Sequence, residues 1–338
     1  MLKVGLIGFG FMGRMHFDNY ARLMEEGADV QLAAICDLRI EELKHGSAWG
    51  NIATERQVYD LSPYSLYADI EEMLANEELD IIDITLPTTL HADLTVSLLE
   101  RGYHVFCEKP IARTSDEAWR MASAAQRTGK TLMIGQCLRF WPAYEYLKAC
   151  VSDGRYGNVL SGSFFRGSSS PQSWFLNGEH SGGCMLDMHI HDTDVINWLF
   201  GKPEAVSSLA RNVIPGSAYD VVSTNYLYPD GKVLNAQADW TLQGDFGFAM
   251  SYRVNFEGAN LVFENNELKV NPNDGPGFTA ELSPDMGYYR EICYFIDALS
   301  AGKPVSVCTP ESAAESLLIV EAEIRSADNR GVLEPIDR

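Results

Sequence analysis

The sequence predicts a two-domain α/β chain, a parallel doubly wound sheet followed by a mainly antiparallel one, and three observations carry that prediction. A glycine triplet, Gly8-Phe9-Gly10-Phe11-Met12-Gly13, stands between a short apolar run and a proline-free helical one. Through residue 136, strand-like and helical segments alternate, the order that gives right-handed crossovers and a parallel sheet. From about residue 140 the pattern changes to runs of β-formers separated by turn signals. A length of 338 residues suits two domains, assigned here to 1–136 and 137–338.

Residues 2–7 are apolar and partly β-branched, as a buried parallel strand should be, and 12–25 read as a helix. Between them, Gly8 permits a tight turn, Gly10 lets a pyrophosphate approach the backbone, and Gly13 lets helix and strand pack closely. The helix start adds free N–H groups and a positive dipole end. A second strand, 30–36, ends at Asp37, near the roughly 20-residue spacing of an acid that binds the adenosine ribose. These features together predict a Rossmann dinucleotide site. Residues 49–64 are long and irregular for a crossover and read as an insertion or extended loop. Strands follow at 80–85, 103–107 and 131–135, with helices at 91–101 and 115–128, the latter capped by Thr114 or Ser115.

In the second domain, 144–152 reads as a helix, 159–167 as a strand, and 182–200 contains another helix. Strands are expected at 205–213, 220–228, 232–240, 247–256 and 260–264, with turns at Pro229-Asp230-Gly231 and Glu257-Gly258. Helices 288–300 and 310–327 end the chain, the last with Thr309 as cap and Pro310 in its first turn. The strands carry Val221, Tyr226, Tyr228, Trp240, Phe248, Tyr252 and Phe256. Helices can cover only one face of such a sheet, so an apolar outer face and a homodimer or homotetramer are expected.

A formal charge of −21 argues against nucleic acid, which needs clustered Lys and Arg, and against anionic membranes. No apolar run reaches the roughly 18 residues of a membrane span. The first strand, beginning at residue 2, leaves no room for a signal peptide. Cysteines 36, 107, 137, 150, 184, 293 and 308 are scattered and odd in number, a pattern of reduced thiols that predicts a cytoplasmic protein.

Glu108-Lys109-Pro110 lies just past a parallel strand, where open α/β sheets bind ligands. A lysine there can bond a substrate hydroxyl and stabilise a developing alkoxide; read alone, it is also an ordinary solvated charge. In 182–192, Asp187 and His191 fall four apart on one helical face. A carboxylate there would orient the imidazole and favour its charged form, preparing it to exchange a proton. Equally, the pair reads as a helix-start acid beside a structural histidine. No metal site is predicted, because His189 points away from that face and no fourth ligand stands nearby. Trp141, Trp174, Tyr288 and Tyr289 could line a sugar-sized pocket or simply pack in a core.

Together these segments resemble the glucose-fructose oxidoreductase / inositol dehydrogenase (Gfo/Idh/MocA) family over nearly the whole chain. The resemblance rests on the glycine triplet with His16, on Leu86-Pro87-Thr88-x-x-His91, and on residues 102–110 ending in Glu108-Lys109-Pro110. It continues through Arg139-Phe140, Trp174, Ser181-Gly182-Gly183, Asp187-x-x-x-His191-Asp192-x-Asp194, Trp198-Leu199-x-Gly201, Tyr288-x-x-Glu291-x-x-x-Phe295 and Thr309-Pro310-Glu311. The resemblance implies a second domain with an open-faced sheet, often buried in dimers or tetramers, and a substrate pocket between the domains. It implies Lys109 as catalytic lysine, Asp187 as substrate-binding acid and His191 as acid/base, with a cis peptide before Pro110. Cofactor contacts are expected at Gly8, Phe9, Gly10, Phe11, Met12, Gly13, Asp37, Arg39, Pro87, Thr88, His91, Glu108 and Lys109. Substrate contacts are expected at Lys109, Arg139, Trp174, Asp187, His191 and Tyr288. His189 departs from the family, where many members carry Gly, and could narrow the pocket or touch substrate.

The resulting expectation is an oxidoreductase passing hydride between a nicotinamide cofactor and a secondary alcohol of a sugar, cyclitol or polyol. Asp37 favours NAD, while Arg39 keeps NADP open. An NAD-assisted glycosidase and a non-catalytic nucleotide-sensing regulator are the other readings; the regulator has no need of Lys109, Asp187 and His191.

Overall fold

In this computed structural model, residues 1–43 and 59–337 are described. Most of the irregular stretch at 49–64 therefore lies outside the described residues. The chain divides into two compact units, 1–137 with 287–314, and 138–286 with 315–338. Residues 287–314, assigned from sequence to the second domain, thus belong to the first unit, where the helix 287–300 packs on 11–25.

The first unit contains β1 (Leu2–Ile7), α1 (Phe11–Glu25), β2 (Val30–Cys36), α2 (Ile40–Leu43), β3 (Ser65–Tyr67), α3 (Ile70–Asn76), β4 (Ile81–Ile84), α4 (His91–Glu100), β5 (His104–Glu108), α5 (Ser115–Thr128) and β6 (Leu132–Gly135). All strand pairs are parallel, in the order β3-β2-β1-β4-β5-β6. The order reverses direction between β1 and β4, the point at whose C-terminal edge such sheets bind ligands. β4 and most of β1 and β5 are buried, which is why they read as near-continuous apolar runs. Thr114, not Ser115, caps α5, in a reciprocal capping box with Glu117.

The second unit contains α6 (Pro142–Asp153), β7 (Val159–Ser168), α7 (Gly178–Ser181), α8 (Ile190–Phe200), β8 (Ala205–Arg211), β9 (Val221–Leu227), β10 (Val233–Asp239), β11 (Phe248–Phe256), β12 (Ala259–Glu264), β13 (Glu267–Pro272) and β14 (Phe278–Thr279). α9 (Gly287–Ser300) returns to the first unit, and α10 (Pro310–Asp328) leads to β15 (Glu334–Pro335). The nine-stranded sheet runs β14-β13-β12-β11-β7-β10-β9-β8-β15 and is antiparallel except where β10 meets β7. β13 was not anticipated. Its hairpin turn is Asn265-Asn266, both left-handed at φ 52° and 60°, a role that asparagine fills at little cost.

Strand burial alternates strictly enough to define two faces. Of the apolar residues noted on these strands, Tyr226, Tyr228, Trp240, Tyr252 and Phe256 are buried and lie on the inner face. The outer face is instead mostly polar. One cross-strand row reads Asn225-Asn235-Ser163-Arg253-Val262, and a neighbouring row places Leu227 opposite Val233. The apolar outer face expected from the number of such residues is absent because their alternation places most of them on the inner face. No helix among the described residues is long and apolar enough to cross a membrane.

Candidate active site

The glycine turn of the first unit is shaped by sterics. Gly8 has φ +96°, and a Cβ on it would stand 2.9 Å from the Thr85 carbonyl oxygen. A Cβ on Gly13 would fall 2.0 Å from the Gly8 oxygen, whereas one on Gly10 would meet nothing within 4 Å. Two glycines therefore close the turn and the third leaves open space in front of it. α1 starts at Phe11 without a side-chain cap and without an acid in its first turn, so its leading N–H groups suit an anion.

Asp37 follows β2. Its Oδ2 accepts the Phe9 N–H at 2.8 Å and its Oδ1 accepts the Arg39 N–H at 2.8 Å. A carboxylate offers about four acceptor positions, so two remain for a ribose diol. Arg39 is exposed beside it. These features fit the adenosine and pyrophosphate parts of a dinucleotide. The Phe9 side chain is fully buried, edge-on to Phe17 and Tyr59, so only its backbone faces the turn. Thr85, unmarked in the sequence reading, ties the end of β4 to the turn by donating to the Gly8 oxygen at 2.9 Å.

Pro87 and Thr88 open a short 3-10 turn before α4. His91 does not face that opening. It is fully buried, with Nδ1 2.8 Å from the Pro110 oxygen and Nε2 2.8 Å from the Leu86 oxygen, bridging the loops after β4 and β5. The Lys109-Pro110 peptide is cis. Glu108 likewise points inward: it is 4% exposed, and its Oε1 lies 3.0 Å from His16 Nε2. Tyr288, half-buried on α9, has its hydroxyl pKa held well above the ordinary range by Cys137 beside it and by burial. Tyr289 packs under the Arg22 guanidinium, 3.7 Å from its ring centre.

In the second unit, Ser181, Gly182 and Gly183 bring the chain into the segment that carries Asp187. The Ser181 hydroxyl donates to the Phe175 oxygen at 2.7 Å and accepts the Gly183 N–H at 3.0 Å. A Cβ on Gly183 would stand 2.6 Å from the Ser217 oxygen. Met185–His189 then forms a π turn rather than the α-helix expected, and α8 starts at Ile190. Single π turns in helices recur at functional sites. Asp187 is 7% exposed in that turn, and His191 is half-buried in the first turn of α8. Trp174 stacks on Phe175 at 4.2 Å in a neighbouring 3-10 turn.

Arg139, expected to contact substrate, is paired inside the second unit. Its guanidinium is 3% exposed and donates to both oxygens of Asp194, at 2.8 and 2.7 Å. Arg166 holds Asp192 in the same way, at 3.0 and 3.2 Å. His189 lies inside the second unit. It is fully buried, with Nε2 3.2 Å from Thr224 Oγ1 and 3.5 Å from Glu323 Oε2. Burial takes its pKa down to about 3, with Arg166 adding to the effect. Burial pushes the Glu323 carboxyl up to about 8, although the Tyr226 and Thr193 hydroxyls donate to it.

A family model described as "Oxidoreductase family, NAD-binding Rossmann fold" matches residues 2–136. The "GFO/IDH/MocA C-terminal domain" model matches residues 144–262. Inositol 2-dehydrogenase of Rhizobium meliloti is 26% identical over 340 residues, covering 96% of each chain. Levoglucosan dehydrogenase of Pseudarthrobacter phenanthrenivorans is 29% identical over 238 residues, 63% of this chain and 55% of that protein. Among solved structures, levoglucosan dehydrogenase in complex with NADH and levoglucosan superposes with a TM-score of 0.86 at 22% identity, covering 100% of both chains. At that identity the likeness is one of fold.

Two outcomes follow from these placements. A carboxylate at the Asp37 position would repel a 2′-phosphate and accept a free diol, so calorimetry should find NAD bound more tightly than NADP; equal or tighter NADP binding would contradict this. Glu323 binds its proton more tightly folded than unfolded, so its contribution to stability falls as pH rises from 4.5 to about 8. Unfolding free energies from urea titrations across that window should decline more steeply for the wild type than for Glu323→Gln, by on the order of 1 kcal/mol per pH unit. Parallel curves would show that Glu323 is ionised throughout.

Proposed function

This chain belongs to the Gfo/Idh/MocA family of oxidoreductases, and from that premise we propose that it is an NAD-dependent dehydrogenase of a secondary alcohol in a sugar, cyclitol or related polyol. The observation that carries the reading lies within the first unit. An open glycine turn backed by Asp37 and the lysine Lys109 stand at the same C-terminal edge of one parallel sheet. The polyol class agrees with relatives named for inositol and levoglucosan.

Bound NAD supplies the hydride acceptor. His191 takes the proton of the reacting hydroxyl, since an imidazole exchanges protons near neutral pH. The Lys109 ammonium steadies that oxygen as negative charge grows on it. Asp187 orients the imidazole and accepts a neighbouring substrate hydroxyl. In the reductive direction His191 returns the proton. Tyr288 and Trp174 offer aromatic surface to the apolar faces of a sugar ring.

A panel of polyols with NAD⁺, followed at the nicotinamide absorbance, should identify a substrate. On it, Lys109→Ala and His191→Ala should each lower kcat by roughly 10²-fold or more, with NAD affinity little changed. Wild-type turnover in both variants would overturn these roles, and cleavage of a chromogenic glycoside without net NADH would favour the glycosidase.

Assembly is proposed through the outer face of the nine-stranded sheet, as a homodimer or a tetramer of such dimers. That face presents Leu209, Leu227 and Val233, 64%, 44% and 66% exposed, among asparagine and serine side chains able to bond across a two-fold axis. All seven cysteines are free thiols, which suits a reducing cytoplasm. Light scattering should return at least twice the 37.5 kDa of the chain. A monomer at micromolar concentration would rule the assembly out.

A further inference from the structure

Four ionisable side chains meet inside the first unit, shut off from solvent. His16 on α1, Asp83 on β4 and Glu291 on α9 have no exposed surface, and Glu108 at the end of β5 has 4%. His16 Nδ1 lies 2.8 Å from Asp83 Oδ2, and Nε2 lies 3.0 Å from Glu108 Oε1. A neutral imidazole owns a single N–H and would turn a lone pair toward one of those carboxylates. Only the imidazolium donates to both. Burial opposes that charge, but Asp83 and Glu108 outweigh it and hold the imidazole well above the usual histidine range.

The second oxygen of Glu108 faces the other way. Oε2 accepts the backbone N–H of Lys109 at 3.0 Å. Room for this carboxylate is reserved on the neighbouring strand, because a Cβ on Gly135 would stand 3.0 Å from Oε1 and 3.2 Å from Cδ. From α9, Glu291 brings a carboxyl with neither oxygen hydrogen-bonded. It lies with His16 and Glu108 in a group whose polar atoms are within 4.8 Å of one another. Burial pushes its pKa well above the usual range, and the charge of Glu108 adds to this, so it stands as a neutral acid. Burial likewise raises the Tyr20 phenol and the Cys107 thiol and lowers the His91 imidazole, and Cys137 and burial raise Tyr288, so these four groups stay uncharged at neutral pH.

We propose that Glu108 is a positioning residue for Lys109: a doubly donating His16, oriented by Asp83, fixes the Glu108 carboxylate, and the carboxylate fixes the backbone that carries Lys109. The role builds on the reading of Lys109 as the lysine at the reacting oxygen. Glu108 acts through the backbone of Lys109. Its carboxylate is spent on an internal cation and on one peptide N–H, in a line of charge-assisted hydrogen bonds running from β4 to the turn after β5.

Glu108→Ala and Glu108→Gln separate this role from general packing. Glutamine keeps an oxygen for the Lys109 N–H and offers an amide N–H to a now neutral His16. In Glu108→Ala, hydrogen exchange at the Lys109 amide should accelerate by about tenfold or more, and in Glu108→Gln it should stay within about threefold of wild type. On the polyol that the wild type oxidises, kcat should fall roughly 10²-fold in Glu108→Ala and by less than about tenfold in Glu108→Gln, with KM for NAD⁺ within about twofold in both. Unchanged Lys109 exchange in the alanine variant, or a glutamine variant no better than alanine, would overturn the proposal. If the alanine variant does not fold, loss of Lys109 protection in Glu108→Gln alone would overturn it. A wild type that oxidises no polyol would defeat the dehydrogenase reading, while the exchange data would still decide the role of Glu108.

Discussion

A buried cation between two carboxylates is the constraint on which the first unit is built. An imidazolium with no exposed surface is costly unless both N–H groups find negative partners, and Asp83 and Glu108 supply them from adjacent strands. The parallel register makes this possible. Asp83 pairs with Phe106, and Glu108 lies two residues further along the same strand, so both acids point to the face that α1 covers. Phe106 itself meets the His16 ring edge-on at 5.5 Å. Register of β4 with β5, docking of α1 and placement of the Lys109 turn are therefore one problem with a shared electrostatic solution.

The second unit uses buried charge in a different way. Asp192 and Asp194 are two residues apart on α8, so their side chains leave the helix about 200° from one another. One meets Arg166 of β7 and the other meets Arg139 of the turn at 137–140. Held from opposite sides, the helix has little freedom to rotate, and the orientation of His191 at its start is set by it. His189 and Glu323 solve the burial problem by remaining neutral, which permits a polar contact under the π turn without a third buried ion pair. Surface pairs such as Arg101–Glu71 are exposed and contribute far less to this order.

Much of the fold was legible because its signals are local. The glycine turn, the acid ending β2 and the alternation of strand and helix through β6 each follow from neighbouring residues, and so do the Thr114 and Thr309 starts of helices. What escaped were facts about partners. Nothing near Arg139 in the chain reveals that Asp194 would claim its guanidinium, nor does any local pattern show His189 turning toward Glu323. The face chosen by Tyr226 or Trp240 depends on parity that an uncertain strand boundary erases. Yet one signal was available. Asp83 interrupts the apolar run Ile81-Ile82-Asp83-Ile84, and an ionised acid inside a buried strand calls for a buried donor, a cation above all. His16 was quoted only as part of a family pattern, when Asp83 already called for it on physical grounds.

The protonation state of His16 is the most direct test of this account. Nitrogen NMR of the histidine side chains at about pH 8, well above the ordinary imidazole pKa, reads it without reference to any substrate. A ring protonated on both nitrogens is the predicted result. A neutral His16 at that pH, with one bare nitrogen facing a carboxylate, would contradict it.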